Sequence, residues 1–154
     1  MYFELSILIE RPQADVFAFL RDKDLYPQEK GSPVLILEKT TSGPVALGTG
    51  YREVVQMLPF ARGEICSKIT RFEPWEYLAE DFWGAGMYGH LEYQFVPEAD
   101  GTSLFQRETL DVRWFLKPFE FFFKRALDWR LPSRLEDIKR VLESGWEVEL
   151  ERIE

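Results

Sequence analysis

Six runs of alternating apolar and polar residues fill the chain between Pro33 and Trp114, and a turn signal separates each run from the next. Glycine reaches the positive φ angles of tight turns, and proline presets φ while it lacks a backbone donor. The runs therefore predict β-strands at about 34–41, 48–57, 63–72, 76–82, 87–97 and 102–113. Because the links between them are short, we expect neighbouring strands to pair antiparallel.

A further strand and a short helical region precede these runs. Apolar residues alternate with mostly polar ones from Phe3 to Ile9, which is typical of a half-buried strand. Pro12 suits the first turn of a helix, which we expect to run to Asp22, with a second short helical turn before Pro27.

The last third of the chain predicts one long helix over about 118–144, with Gly145 where a glycine commonly follows a helix. At 100° per residue its apolar residues form two stripes. The first contains Phe119, Phe122, Phe123, Ala126 and Leu127, and the second contains Leu131, Leu135, Ile138, Val141 and Leu142. The stripes are offset by about 100°. Pro132 lies between them, so a kink or a one-residue register slip is expected there, which would let both stripes face one core.

This order of elements, with five short pieces of sequence, resembles the START-like or SRPBCC superfamily. The pieces are 9–17 (IERPQADVF), 48–50 (GTG), 69–74 (ITRFEP), 100–104 (DGTSL) and 135–143 (LEDIKRVLE). The resemblance implies an α+β helix-grip fold, in which a curved seven-stranded antiparallel sheet wraps around a long C-terminal helix and two short helices separate the first two strands. We expect residues 1–145 to form one such domain, followed by a tail at 146–154.

The superfamily includes polyketide cyclases and dehydrases, lipid-transfer domains and pollen-allergen ligand carriers. It has no universal active-site motif, so the resemblance assigns no catalytic residue to this chain. What it implies is a pocket for a small molecule.

Charge and composition disfavour several other classes. The chain has 154 residues, with Lys+Arg 19 against Asp+Glu 27 and a net charge of −8, and such a surface repels nucleic acid. A single cysteine cannot form an internal disulfide, and with a single histidine it cannot build a standard zinc site, so we expect no metal and no cofactor. No apolar stretch approaches the ~20 residues of a membrane helix. We therefore expect a cytoplasmic protein with no integral membrane association.

A single helix cannot fill the concavity of a curved seven-stranded sheet, so a mainly apolar cavity is expected between them. Strand parity and helix periodicity place the following side chains around it: Tyr51, Glu53, Val55, Ile69, Glu80, Phe82, Met87, Leu91, Tyr93, Gln106, Glu108, Phe119, Phe123 and Arg130.

Three of these side chains, Glu53, Glu80 and Glu108, are carboxylates that point inward. Buried carboxylates must be paired, hydrogen-bonded or raised in pKa, and the helix offers Arg130 as a partner. In one interpretation they lie at the cavity rim, solvated or bridged to Arg130. In another, one of them contacts the ligand as a hydrogen-bond acceptor or general base. A wrong strand parity is the third possibility.

Three functions remain open at this point. The first is binding or transport of a hydrophobic or aromatic small molecule, such as a lipid, a polyketide or an isoprenoid. The second is a metal-free cyclase, dehydratase or hydrolase that uses Glu53 or Glu108 with Tyr51 or Tyr93 as proton donor. The third is a protein-interaction module whose cavity is filled by aromatic rings. Because no compelling acid–base pair is evident, binding is favoured over catalysis.

Two surface features complete the prediction. Phe121 with Trp114, Phe115 and Leu116 forms an apolar patch at the start of the long helix. The net negative charge favours a homodimer contact or a cavity entrance there over contact with a membrane. In the tail 146–154, apolar residues alternate with glutamates, which favours an added edge strand over a frayed terminus.

Overall fold

The computed structural model describes residues 1–25 and 32–145. Its strands are β1 (Tyr2–Ile9), β2 (Val34–Lys39), β3 (Gly50–Leu58), β4 (Ala61–Glu73), β5 (Tyr77–Gly84), β6 (Met87–Glu98) and β7 (Gly101–Val112). Its helices are α1 (Gln13–Arg21), a 3-10 helix (Trp114–Phe119) and α2 (Glu120–Glu143).

All seven strands form one antiparallel sheet in the order β1-β7-β6-β5-β4-β3-β2. The six strands after α1 pair with their neighbours in sequence, and β1 pairs with β7 at the far edge. The predicted architecture, a curved seven-stranded sheet with a long C-terminal helix, is confirmed. From β3 to β7 short turns set this order, because consecutive strands joined by two or three residues can only fold back on each other.

One of these turns needs glycine. Gly101 begins β7 at φ +149, and a Cβ there would lie 2.1 Å from the carbonyl oxygen of Ile9. The β6–β7 turn can therefore pass beside the end of β1 only if this residue has no side chain.

The number of helices differs from the prediction. In the described residues between β1 and β2 there is one helix, α1, followed by a single turn in which the Leu25 amide donates to the Asp22 carbonyl at 2.9 Å. The second helical turn was predicted to end before Pro27, and the last residue before this proline, Tyr26, lies outside the described residues, as does the predicted edge strand at 146–154.

The core lies between the sheet, α1 and the second half of α2. The Phe17 ring of α1 meets the Phe95 ring at 5.2 Å between centroids and the Phe72 ring at 5.6 Å, both edge to face. From α2, the second stripe contributes Leu135 and Leu142, which are buried in the same cluster. Burial of these side chains is what holds α1 and α2 on the sheet.

The first stripe of the long helix does not face the core, so that expectation is wrong. Phe119, Phe122 and Ala126 are exposed, and only Leu127 of this stripe lines the space under the helix. Because α2 continues as one α-helix through Pro132, the angular offset between the two stripes remains. Only the second stripe can therefore face inward. In the described part of the chain, no helix is long and apolar enough to cross a membrane.

Candidate functional site

A cavity of about 430 Å³ lies between the concave side of the sheet and α2. Its walls are apolar side chains from α1, from β2, β4, β5 and β6, and from α2. They are Phe19, Leu20, Val34, Leu37, Ile65, Phe82, Leu91, Leu127, Leu131, Ile138 and Val141. The size and the apolar lining are those of a small-molecule site.

On the sheet side, Lys23 holds two of the predicted inward carboxylates. Its Nζ lies 2.8 Å from Glu80 Oε2 and 3.6 Å from Glu53 Oε1. The Ser67 hydroxyl also donates to Glu80 Oε2, at 3.3 Å. Lys23 Nζ further lies 4.4 Å from the centroid of the Tyr51 ring. The cation is therefore fixed between two carboxylates and an aromatic ring.

On the helix side, Arg130 and Arg134 face the third carboxylate, Glu108. Burial raises the pKa of Glu108 above its usual value, while the charges of both arginines and a hydrogen bond from Gln106 limit the rise. That hydrogen bond runs from Gln106 Nε2 to Glu108 Oε2, at 3.2 Å. The environment of the Glu108 carboxyl therefore favours its protonated form more than water does.

A smaller recess of about 30 Å³ extends the site towards Tyr93, with Arg134 in its wall. Burial raises the pKa of Tyr93 to about 12, and Arg134 acts in the opposite direction. Arg134 acts on the Tyr93 hydroxyl through its charge and through a side-chain hydrogen bond. The nearby Tyr51 hydroxyl, in contrast, donates to the Arg21 carbonyl at 3.2 Å, and burial raises the pKa of Tyr51.

These groups form a polar floor under apolar walls. We use "polar floor" for Lys23, Glu53, Glu80, Glu108, Arg130 and Arg134, in which three cations face three carboxylates. Such a floor can orient the polar end of a ligand whose remainder contacts the apolar walls.

Most of the side chains predicted to surround the cavity do so in the structure. Glu53, Glu80, Phe82, Leu91, Glu108 and Arg130 line the main cavity. Tyr51, Ile69 and Tyr93 line the smaller recess.

Five predicted residues lie outside both linings: Val55, Met87, Gln106, Phe119 and Phe123. Val55 pairs with Gly63, beyond the Glu53–Ile65 pair at which the lining of β3 and β4 stops. Met87 is the first residue of β6, also beyond the cavity.

The other three lie outside for different reasons. Gln106 is fully buried in the interior. Phe119 and Phe123 precede Leu127, the first residue of α2 that borders the cavity, and Phe119 is exposed.

Two charged residues of the polar floor were not predicted, Lys23 and Arg134. Arg134 follows Arg130 by four residues, so helix periodicity alone could have placed it on the same face. Lys23 lies in an irregular segment after α1, where no periodic pattern indicates the direction of a side chain.

Comparisons with known proteins support the fold and no specific function. No protein-family model matches the sequence, and no curated protein matches it either. Protein TTHA0849 of Thermus thermophilus has a similar structure, with a TM-score of 0.73 and 16% identity over 96% of this chain and 100% of that one. Ara h 8.0201 gives a TM-score of 0.73 and 15% identity over 94% of this chain and 99% of that one.

A protein of unknown function, SA2116 from Staphylococcus aureus, gives a TM-score of 0.70 and 19% identity over 94% of both chains. These likenesses extend over nearly the whole chain, while the identities are too low to carry more than the fold. The fold is a helix-grip fold.

Proposed function

We propose that this protein binds a hydrophobic or aromatic small molecule with a polar end, in the cavity between the sheet and α2. A lipid, a polyketide or an isoprenoid has this chemistry. The observation that carries the proposal is a cavity of about 430 Å³ with apolar walls and a charged floor. Pockets for small molecules commonly measure ~300–1,000 Å³.

The arrangement of the charges supports a ligand with a polar end. Each carboxylate of the polar floor already faces a cation, so a wholly apolar ligand would desolvate these groups without replacing their water. A hydroxyl, carbonyl or carboxylate of the ligand would compensate for that loss. A cavity of this size also weighs against an interaction module with a filled interior.

A cavity-filling variant tests the proposal. Val34 lines the cavity on the edge strand β2, and Val54 lies on neighbouring β3 outside the lining. With N-phenyl-1-naphthylamine as the fluorescent probe, we expect Val34→Trp to weaken binding by about tenfold or more, because the indole occupies the ligand volume. The control Val54→Trp should stay within about twofold.

Two results would count against the proposal: no probe binding by the wild-type chain, or equal loss of binding in both variants. Native mass spectrometry of freshly purified protein complements the titration, because a tightly held natural ligand would be carried through purification and give its mass directly.

A second candidate, acid–base catalysis, has one specific observation in its favour. Glu108 has a raised pKa, lies in the wall of the cavity and is close to Tyr93 and Arg134. Carboxyls with perturbed pKa values in a cleft are common catalytic acids and bases. With the molecule identified by mass spectrometry, Glu108→Gln should leave affinity within a few fold if the protein is a carrier. In an acid–base enzyme it should lower turnover by ~10²–10⁴. Glu53→Gln is the matching variant on the sheet side.

A further inference from the structure

Six exposed aromatic side chains lie close together in sequence on the 3-10 helix and the first half of α2. We call this group the aromatic face, and its members are Trp114, Phe115, Phe119, Phe121, Phe122 and Trp129. Trp114 is 83% exposed and Trp129 is 78% exposed. Monomeric proteins rarely leave so many large rings together in water, so this face requires an occupant.

Helical spacing makes the face continuous along α2. Phe122, Arg125, Ala126 and Trp129 follow one another within a few residues on the helix, and all four are exposed. On the opposite side of the same segment, Leu127 and Arg130 line the cavity. This half of α2 is therefore amphipathic in an unusual sense, because an apolar surface faces solvent while the inner side holds part of the polar floor.

The charges around the aromatic face are basic. Within residues 111–129 there are four basic and three acidic side chains beside the rings, a local charge of +1, while the whole chain carries −8. All three acids already face a lysine: Glu120 and Asp111 share Lys117, at 3.1 and 4.0 Å, and Asp128 pairs with Lys124 at 2.9 Å. Within the described residues, Arg113 and Arg125 take part in no ion pair.

These charges discriminate between the candidate occupants. In a symmetric dimer the same patch meets itself, so the basic segments of two copies would face each other and repel. An asymmetric contact with the acidic remainder of another copy would be heterologous, and would produce a ring or an open chain of subunits. A surface that is both anionic and able to accept aromatic rings satisfies the charge and the apolar side chains together, and an anionic lipid bilayer is such a surface.

On the sequence alone, the net charge of −8 disfavours a membrane contact at this patch, but the local charge is what decides it. At physiological salt, charges further apart than the Debye length of ~8 Å are largely screened. The bilayer therefore interacts with the local positive charge of the segment that touches it, which Arg113 and Arg125 supply, and with the Trp and Phe rings, which favour the membrane interface.

We propose that the aromatic face docks the protein on the surface of anionic lipid bilayers, with the rings at the headgroup level and Arg113 and Arg125 among the lipid phosphates. The inference does not depend on which molecule occupies the cavity. Docking would place the outer side of α2 on the bilayer and its inner side over the cavity.

Co-sedimentation with vesicles tests the proposal. We expect the wild-type chain to bind phosphatidylcholine vesicles that contain phosphatidylglycerol. Its affinity for pure phosphatidylcholine vesicles should be lower by about tenfold or more. Raising the salt from about 0.1 M to about 1 M should weaken binding, because the Debye length falls from ~10 Å to ~3 Å.

The variants separate the rings from the charges. The double variant Phe122→Ser/Trp129→Ser should lose binding by about tenfold or more, since it removes the buried apolar area. The control Leu8→Ser/Leu47→Ser, which alters exposed apolar residues outside the aromatic face, should keep it. Arg113→Ser/Arg125→Ser should lose about tenfold or more on anionic vesicles, and Arg140→Ser, near the other end of α2, should not.

Three outcomes would overturn the proposal. One is no binding to either vesicle. Another is equal loss in the Phe122→Ser/Trp129→Ser variant and its control. The third is a dimer in analytical ultracentrifugation that this variant converts to monomer while vesicle binding is absent, which would identify a second copy as the occupant. Val34→Trp should bind vesicles like the wild-type chain, so failure of this inference and failure of the proposed ligand binding can be told apart.

Discussion

The two halves of helix α2 have similar apolar content and opposite surroundings. In the second half, Leu131, Leu135, Ile138 and Leu142 are buried against the sheet and α1. In the first half, Phe121, Phe122 and Trp129 point into solvent. The comparison teaches that an apolar stripe identifies residues that share one side of a helix, and that the rest of the fold decides whether anything covers that side.

Side-chain hydrogen bonds also fix the second half of α2, at its C-terminal end. Arg11 Nη1 donates to the Leu142 carbonyl at 2.6 Å, and Lys139 Nζ donates to the Leu8 carbonyl at 2.7 Å. The Glu143 carboxylate accepts from the Glu10 amide at 2.9 Å, and this hydrogen bond lowers the pKa of Glu143. The second half of α2 is thus joined to the β1–α1 connection by side-chain hydrogen bonds as well as by packing.

The most direct way to break the comparison is truncation of one large side chain in each half. Leu142 is fully buried, so Leu142→Ala should lower the free energy of unfolding by ~2–5 kcal/mol through lost burial and the cavity left behind. Phe122→Ala removes a larger side chain and should change that free energy by less than about 0.5 kcal/mol. Urea unfolding followed by circular dichroism measures both, and similar losses in the two variants would contradict the division of the helix.

A smaller effect is expected from the polar floor on the sheet side. Lys23→Met removes the cation that bridges Glu53 and Glu80, and should lower the free energy of unfolding by ~1–3 kcal/mol. Because Lys23, Glu53 and Glu80 are partly exposed to water, we expect a loss towards the lower end of this range. The control Lys68→Met, on the exposed side of β4, should change it by less than about 0.5 kcal/mol. Further replacement of Glu80 by Gln should restore part of the loss, and no restoration would contradict the ion pair.

The smallest expected effect is the change with pH in how much Glu108, in the part of the polar floor under α2, contributes to the free energy of unfolding. Burial raises the pKa of Glu108 in the folded chain, so its contribution to stability is present at low pH and is lost as the pH rises through that pKa. Glu108→Gln cannot ionise. Between about pH 4 and about pH 8, the free energy of unfolding of this variant should therefore increase relative to that of the wild-type chain. The exposed control Glu76→Gln should show no such trend, and a trend of opposite sign for Glu108→Gln would mean that the arginines outweigh burial.

The strands were predictable because their limits are set locally. The chain between Pro33 and Trp114 alternates in polarity and is interrupted by glycine and proline, and these residues act on the backbone within a turn. The inward direction of Glu53, Glu80 and Glu108 follows from the same alternation, since successive side chains in a strand point to opposite faces.

The rest of the site depends on contacts between distant parts of the chain. Where the cavity ends decides whether Val55 and Met87 border it, and that depends on how the sheet curves around α2, which the alternation along a strand does not give. Lys23 reaches Glu80 across 57 positions of sequence, from a segment without periodicity. The exposure of Phe122 could not be read from a helical pattern that is equally compatible with a covered surface.

The unbroken course of α2 through Pro132 has a consequence for how this chain can vary. One helix joins a segment on which folding depends to a segment whose outward side chains contribute little to it. Substitutions on that outward side can alter which surfaces the protein contacts while the interior is left intact. These contacts can therefore evolve, or be engineered, with little loss of stability to heat.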